Sequence, residues 1–521
     1  MKPLKTTYLL FALLLAINPA FSQKKEIKVV QTESVAGKNL ITGSEIKAIE
    51  LAFPERIYKV FLDTATNLLT VQLRGLDSWD GATLKNRGTM VQYDTEKDTI
   101  LWKKKINYPR STILQSGSTI IHTVFGLSNK IDIYTGKSIW EVERKILYFS
   151  PASKTAIGYF KGNNNELDGI DLSNGKLTWY RRVNNEYGWN DLFFSNDSTI
   201  VVVADGLHTI NIHNGKGWDY YTVTGEKDYS GTIAANAVGA VLGILTGFFA
   251  FSTGYSVVND IVSNALGDST SLFLASKTEI FRIDKQSGKI LWKYNLPKNM
   301  ASKSSLFMND TTVFMVNKGY AYMGNWGLYY GRPFIAAFDK QTGEQRYMTM
   351  IAEKNNSIQS FDFLENDFFC MFTDKLIKFH LETGNITFEK NFPKNIFGAL
   401  KYFSGNRVFI KNDNDNFVSL WQNDSTKLYV FTDQDKLLMI DDQLNVENTI
   451  EKENIYIYDF GIKNYGFFSN AFSNKKQKIV VHKDGTKIMN IELSTNAFIL
   501  NDILYNNRDK SFIAIDLKQI P

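Results

Sequence analysis

The sequence predicts an all-β fold of the β-propeller type, in which short antiparallel sheets form successive blades. One short phrase repeats every 38–40 residues, which is the period of a propeller blade. Short apolar runs typical of strands fill the intervals, and long helical periodicity is scarce outside one segment. Of the 521 residues, 44% are apolar and 14% aromatic, which excludes a disordered tail and a collagen-like rod.

The repeated phrase has an aspartate, a glycine four residues later and an aromatic residue eight residues later. We interpret it as a hairpin in which the aspartate bonds to the turn, the glycine adopts positive φ and the next strand carries the aromatic ring. The copies, complete or with one or two members changed, are Asp94-Trp102, Asp132-Gly136-Trp140, Asp171-Gly175-Trp179, Asp284-Gly288-Trp292, Asp339-Gly343-Tyr347 and His380-Gly384-Phe388.

The tryptophans stand at the same position in each repeat, which predicts that they pack between blades and have no part in cofactor binding. The residues that we expect to hold blades together are Trp102, Trp140, Trp179, Trp292, Gly136, Gly175, Gly288, Asp171 and Asp284.

The phrase A-x-D-x-x-x-G-x-x-x-W resembles the tryptophan-docking motif of the PQQ-like (pyrroloquinoline-quinone) propellers, and the resemblance spans residues 57–521. That family contains quinoprotein dehydrogenases, which are enzymes, and BamB-like propellers, which are scaffolds for outer-membrane assembly. The resemblance implies eight four-stranded blades, and seven or nine would also fit the spacing. The character of this chain is closer to the BamB-like branch.

Strand pairing at the two ends of the propeller predicts the domain boundaries. The last phrase, Phe512–Leu517, has no outer strand after it, and an open sheet edge is a liability. We therefore expect an N-terminal strand within 23–56, at 27–31 or 45–53, to complete the last blade of a propeller formed by 57–521.

Residues 1–22 are typical of an export signal. Lys2 and Lys5 precede an apolar run, and Ala20–Ser22 fits a cleavage site. We expect the chain to be exported to the periplasm, to associate with the outer membrane or to be secreted. Its remaining lysines and arginines are scattered, which predicts no nucleic-acid partner.

The residue types that an enzyme of this family would need are largely absent from the sequence. The resemblance implies a vicinal cysteine pair over the quinone in the dehydrogenases, whereas Cys370 is the single cysteine of this chain. The segment Asn412–Asn416 resembles part of a calcium loop but lacks its glycine and its final glutamate, which favours a polar turn. We expect no catalytic, metal-binding or cofactor-binding residues.

An uncharged, glycine-rich insertion interrupts the blade spacing at 229–259. Small residues recur there at every fourth position, which on a helix forms a stripe that allows close approach. The insertion could pack on the propeller, plug its channel, or dip into a membrane or a partner. The residues that we expect to make a membrane or partner contact are Gly239, Gly243, Gly247, Phe248, Phe249 and Phe251.

Together these observations predict an exported, non-catalytic propeller that acts as a binding or assembly scaffold with protein partners. The alternative is a quinoprotein dehydrogenase-like enzyme or a small-ligand binder at the propeller channel.

Overall fold

The computed structural model describes residues 27–519 with the exception of several short segments and one long one. The segments outside the description are 78, 184–190, 204–205, 222–262, 324–325, 365–366, 405–407, 412–416, 420–426, 463–464, 473–476, 483–486 and 495–496. The predicted export signal, the insertion at 229–259 and the polar segment Asn412–Asn416 therefore lie outside the described residues.

The described chain is built almost entirely from β-strands. Its one α-helix is the short α1 (Lys394–Phe397), and 3-10 turns lie at Tyr108–Arg110, Lys452–Asn454 and Leu517–Gln519. None of the described helices is long and apolar enough to cross a membrane. The strands are β1 (Val30–Asn39), β2 (Glu45–Ala52), β3 (Ile57–Asp63), β4 (Leu68–Leu73), β5 (Arg87–Asp94), β6 (Thr99–Asn107), β7 (Ser111–Ser116), β8 (Thr119–Val124), β9 (Leu127–Ile131), β10 (Ser138–Val142), β11 (Lys145–Ser150), β12 (Thr155–Phe160), β13 (Asn163–Asp171), β14 (Leu177–Arg182), β15 (Asp191–Asn196), β16 (Thr199–Val203), β17 (Gly206–Asn211), β18 (Asp219–Tyr221), β19 (Leu266–Gly267), β20 (Ser271–Ala275), β21 (Glu279–Asp284), β22 (Ile290–Asn295), β23 (Ser304–Met308), β24 (Thr312–Asn317), β25 (Tyr320–Met323), β26 (Trp326–Tyr329), β27 (Phe334–Asp339), β28 (Gln345–Met350), β29 (Ser360–Leu364), β30 (Asp367–Met371), β31 (Lys375–His380), β32 (Ile386–Asn391), β33 (Leu400–Phe403), β34 (Val408–Lys411), β35 (Phe417–Ser419), β36 (Leu428–Thr432), β37 (Lys436–Ile440), β38 (Val446–Glu451), β39 (Ile455–Ile462), β40 (Tyr465–Asn470), β41 (Gln477–His482), β42 (Lys487–Glu492), β43 (Phe498–Leu500), β44 (Ile503–Arg508) and β45 (Ser511–Asp516).

The chain divides into two compact units. Of the described residues, the first contains 27–37, Glu45–Ile106 and 493–519, and the second contains Lys38–Ser44 and those within Asn107–Glu492.

The first unit contains two antiparallel meanders. One is the sheet β3-β4-β5-β6, and the other has the order β2-β45-β44-β43 with β1 beside β2. Strand β2 pairs with β45 in the register Ile49↔Ala514 and Leu51↔Phe512, although more than 450 residues separate them along the chain. Strand β2 thus lies beside the last strand of the chain, and it belongs to the segment 23–56 that the sequence assigned to that position.

The second unit repeats a four-stranded antiparallel sheet. Seven such sheets are β7–β10, β11–β14, β15–β18, β19–β22, β23-β24-β27-β28, β29–β32 and β33-β36-β37-β38, and the meander β39–β42 continues at one side into β34 and β35. With β3–β6 of the first unit, the described residues contain eight separate sheets of four strands, which confirms the predicted propeller class. The two remaining meanders are β39–β42, extended by β34 and β35, and β2-β45-β44-β43, extended by β1. The repeat spacing did not reveal these additional strands.

The core of the second unit lies between successive sheets. One apolar cluster joins Phe273 of β20 to Val313 of β24 and Phe334 of β27, and all three are buried. All six residues of β24 are buried. Inner strands are covered on both faces, so their sequences are nearly continuous apolar runs without alternation.

Candidate functional site: inter-blade contacts and outer strands

Each complete phrase forms a tight turn between the third and fourth strands of a sheet. In the copy from Asp284 to Gly288, the Gly288 N–H donates to the Asp284 carbonyl over 2.9 Å. The Asp284 carboxylate accepts from the Ser287 N–H over 2.7 Å, and Gly288 has φ +70°. The aspartate therefore closes the turn through its side chain, and the glycine supplies the left-handed backbone.

Hydrogen bonds within these turns favour the charged form of the aspartates. The hydroxyl and backbone N–H of Ser287 hold the pKa of Asp284 below its usual value. The equivalent groups of Ser173 do the same for the pKa of Asp171. These carboxylates are therefore charged groups that accept hydrogen bonds within their own turns.

The aromatic residue of one sheet packs on the turn of the following sheet. Trp292 lies against Gly343, and its indole N–H donates to the Lys340 carbonyl over 3.0 Å. Only 7% of the surface of Trp292 is exposed. The contact buries the apolar ring and also gives the indole N–H a hydrogen-bond acceptor, which a buried tryptophan usually requires.

The same contact recurs through five successive pairs of sheets in the second unit. The aromatic–glycine pairs are Trp140–Gly175, Trp179–Gly215, Trp218–Gly288, Trp292–Gly343 and Tyr347–Gly384. In each pair the ring N–H or O–H donates to a backbone carbonyl of the next turn, and the acceptors are Leu172, Ile212, Lys285, Lys340 and Leu381.

Glycine is required at these turns for a second reason besides positive φ. A Cβ atom built on Gly343 would lie 2.4 Å from a ring atom of Trp292, and one on Gly384 would lie 2.3 Å from Tyr347. Real Cβ atoms essentially never approach so closely, so any side chain would displace the ring.

The structure places the remaining predicted contact residues as follows. Trp102 is a buried residue of β6, Trp140 is buried on β10 and Trp179 is half-buried on β14. Gly136 lies in the β9–β10 turn with φ +68°. The predicted insertion residues Gly239, Gly243, Gly247, Phe248, Phe249 and Phe251 lie outside the described residues.

Trp218 belongs to this series and was missed in the sequence. It follows Gly215 by three residues, whereas the other aromatic residues follow their glycine by four. In β21–β22 an extra bulge residue lies between the pairs Arg282↔Trp292 and Ile283↔Ile290. The Thr209 N–H donates directly to the Trp218 carbonyl, and β17–β18 continues regularly to His208↔Asp219. Without the bulge, a spacing of three puts the ring at the same place.

The series stops at the sheet β33-β36-β37-β38. Leu444 has the left-handed φ of +64° that glycine has elsewhere, and its side chain is fully buried. The ring of Phe388, at the aromatic position of the preceding sheet, is 44% exposed. These sheets still pack together, because Leu444 lies in one buried apolar cluster with Phe369 and Leu376 of the preceding sheet. The Lys378 ammonium adds a polar contact by donating to the Asp442 carbonyl over 3.2 Å.

A buried histidine takes part in a polar contact that joins two sheets. His208 Nδ1 lies 2.6 Å from the Asp219 carboxylate, which also receives Arg181 of β14 at 2.7 Å. Burial acts against the charged form of Asp219, but the hydrogen bond with His208 and the charge of Arg181 outweigh it and lower its pKa. The His208 side chain is fully buried beside the Tyr221 ring. This arrangement joins strands and gives solvent no access to the imidazole.

The described part of the chain contains neither a metal-binding cluster nor an exposed thiol. No cluster of three or more His, Cys, Asp or Glu residues there could hold a metal ion. Cys370 is fully buried on β30, and burial raises the pKa of its thiol. A buried thiol with a raised pKa is a poor nucleophile.

The outer strands of the second unit present apolar side chains to solvent. Strands β10, β14, β18, β22 and β32 each pair on one side only among the described residues. The large apolar residues exposed on them are Ile139, Leu177, Tyr180, Tyr221, Leu291, Ile386 and Phe388. Tyr180, at 76% exposure, is the most exposed of these.

Comparison with known proteins extends the resemblance noted in the sequence. Residues 80–294 match the family model described as outer membrane protein assembly factor BamB. The predicted resemblance is confirmed. The match covers less than half of the chain, and no curated protein matches significantly.

Solved propellers are similar to this chain at low identity. BamB from Moraxella catarrhalis is 12% identical over 73% of this chain and 96% of its own, with a TM-score of 0.31. Apo AztD from Citrobacter koseri is 13% identical over 70% and 94%, with a TM-score of 0.29. The computationally designed Ika8 protein is 11% identical over 72% and 96%, with a TM-score of 0.32.

Proposed function

We propose that the protein is a non-catalytic scaffold that binds other proteins through the outer strands of its sheets. The observation that carries the proposal is the row of exposed apolar side chains on strands with one unpaired edge, of which Tyr180 on β14 is the most exposed.

An unpaired strand edge offers backbone donors and acceptors to an incoming chain. Stable proteins usually protect such edges with lysine or proline. Strands β6, β22 and β32 contain lysine and fit that rule, whereas β10, β14 and β18 contain neither residue type. The combination of an open edge and exposed apolar groups favours strand addition by a partner.

The inter-blade contacts support a scaffold because they hold successive described sheets together and use the turn aspartates within the turns. The turn aspartates are committed to hydrogen bonds, and the Cys370 thiol is buried. The alternative, a quinone-dependent dehydrogenase or a small-ligand binder, is tested by adding pyrroloquinoline quinone with calcium. Tight stoichiometric binding would favour that alternative.

We place the scaffold in the cell envelope. The segment 1–22 is typical of an export signal, and the matched family model is described as an outer membrane protein assembly factor. The uncharged insertion at 229–259 adds a proposed peripheral contact with the membrane. Deleting 230–256 should reduce cosedimentation with lipid vesicles, and unchanged cosedimentation would contradict that contact.

Affinity purification from native cell envelopes tests the scaffold role. The Tyr180→Lys variant places a charge on the outer strand β14, so we expect it to lose proteins that copurify with the unaltered chain. Tyr134 is the matched control because it is 57% exposed but lies in a turn. Tyr134→Lys should keep those proteins. Equal loss from both variants, or no loss from either, would contradict binding through β14.

A further inference from the structure

The two-residue β8–β9 turn has positive φ at Phe125 and Gly126, as tight hairpins require, and it places a phenylalanine where asparagine, aspartate or glycine is usual. Among the described residues other than glycine, Phe125 and Leu444 are the apolar residues with positive φ, at +53° and +64°. The Leu444 side chain is fully buried, whereas that of Phe125 is 55% exposed. A bulky residue at positive φ is strained, and such strain often persists at binding sites.

Two cations lie over the exposed ring. The Arg110 guanidinium carbon is 4.7 Å from the ring centre of Phe125, and the Lys161 ammonium nitrogen is 5.4 Å from it. Both cationic residues are exposed. In the described part of the chain, neither Arg110 nor Lys161 forms an ion pair, so their charge is not neutralised by a described carboxylate.

Arg110, Phe125 and Lys161 lie in three different connections between strands, and the backbone brings these connections together. Arg110 precedes β7, and its carbonyl accepts from the Phe125 N–H over 3.0 Å. Lys161 lies in the β12–β13 turn of the next sheet. A Cβ atom on Gly126 would lie only 3.0 Å from the Cβ of Lys161, so the two turns meet closely.

We infer that Arg110, Phe125 and Lys161, here called the Phe125 surface, bind an acidic peptide segment that carries an apolar side chain next to a carboxylate. This inference rests on the proposed scaffold function and names a partner chemistry for it. The carboxylate pairs with Arg110 and Lys161, and the apolar side chain covers the exposed part of the Phe125 ring.

Other ligands use only part of this surface. Inorganic phosphate would pair with the cations and leave the ring exposed. A sugar needs a free ring face for stacking, whereas Arg110 and Lys161 lie over the ring of Phe125. A lipid surface needs a broader apolar face than one side chain provides. A short peptide can use both the charges and the ring.

Fluorescence anisotropy of labelled peptides with the full chain tests the inference. We expect a peptide that alternates glutamate and leucine to bind, and one that alternates lysine and leucine not to bind. Removing both cations in Arg110→Ala with Lys161→Ala should weaken binding at least about tenfold, as expected for lost charge-assisted contacts. Added salt should also weaken it.

Phe125→Gly separates binding from folding. Glycine adopts positive φ without strain, so this variant should melt at the same temperature or higher while it binds the peptide more weakly. Lys137→Ala with Lys176→Ala is the matched charge control. These exposed lysines lie in the β9–β10 and β13–β14 turns, at the other ends of the same two sheets, and their removal should leave binding unchanged.

Four outcomes would overturn the inference. Unchanged peptide binding by Phe125→Gly would show that the ring is not used. Equal binding of a glutamate–serine peptide would reduce the surface to a general anion site. Binding of phosphatidylglycerol-containing vesicles, lost in the same variants and without peptide binding, would assign the surface to lipid. If peptide binding fails while Tyr180-dependent copurification persists, only this inference fails. If no protein copurifies in a way that depends on Tyr180, the proposed function itself is contradicted.

Discussion

The contact between Trp292 and Gly343 can be tested by a double-mutant cycle. The perturbations are Gly343→Ala, Trp292→Ala and their combination. Gly343 has φ +75°, and its Cβ would lie 2.4–2.7 Å from three ring atoms of Trp292. Gly117→Ala is the control, because Gly117 also has positive φ but a Cβ there would meet nothing within 4 Å.

The magnitudes follow from these distances. Placing alanine at positive φ costs about 1–2 kcal/mol, and this is the whole cost expected for Gly117→Ala. Gly343→Ala must also displace the Trp292 ring by roughly 1 Å to reach ordinary contact distance, which adds about 1–3 kcal/mol as overpacking. Trp292→Ala removes a buried ring and should cost about 3–5 kcal/mol. Once the ring is gone, Gly343→Ala should cost only the backbone part.

Chemical denaturation of the five proteins gives the free energies of unfolding from midpoints and slopes. We expect Gly343→Ala to be more destabilising than Gly117→Ala, and the cycle to show a coupling of about 1–3 kcal/mol between positions 292 and 343. Equal costs for the two glycine variants, or an additive cycle, would refute the argument that the ring excludes a side chain at the turn.

Three further predictions concern stability. Asn317→Leu should cost at least about 3 kcal/mol in denaturation experiments, because Asn317 is fully buried and its amide satisfies the Ser302 N–H and hydroxyl and the Met300 carbonyl; a cost below about 1 kcal/mol would contradict this role. A hydrogen bond from Arg346 is the largest influence that lowers the pKa of Asp339, so its carboxylate stabilises the fold above its unfolded pKa and that contribution is lost as the pH falls through the lower, folded pKa. Asp339→Asn should therefore lower the melting temperature at neutral pH and matter less in acid, whereas a pH-independent difference would count against it. Deleting 23–56 removes β2 from beside β45 and should lower the melting temperature sharply, and an unchanged melt would show that this pairing is dispensable.

The sequence predicts the blade architecture because a tight turn and a packed ring both impose residue types at fixed spacing. The Asp284 carboxylate closes its turn by accepting a backbone hydrogen bond. Only glycine adopts the positive φ of position 288 without strain, and Trp292 fills the space beside the next sheet. These requirements repeat in successive sheets, so the pattern is visible without an alignment.

Other features depend on positions that no linear spacing records. Trp218 was missed because the bulge that separates glycine and aromatic residue elsewhere is absent from β17–β18. Leu444 stands where other turns have glycine, and the ring of the preceding sheet, Phe388, is exposed and does not pack on this turn. The Phe125 surface joins residues from three turns, and neither the strain at Phe125 nor its two cations can be read from sequence.

Site-specific photocrosslinking in native cell envelopes tests the scaffold claim most directly. A photoreactive residue at position 180, on β14, is compared with one at position 134, in the β9–β10 turn. The scaffold account predicts a discrete crosslinked protein from position 180 and none from position 134. The same crosslinks from both positions, or none from position 180, would contradict binding through the outer strand.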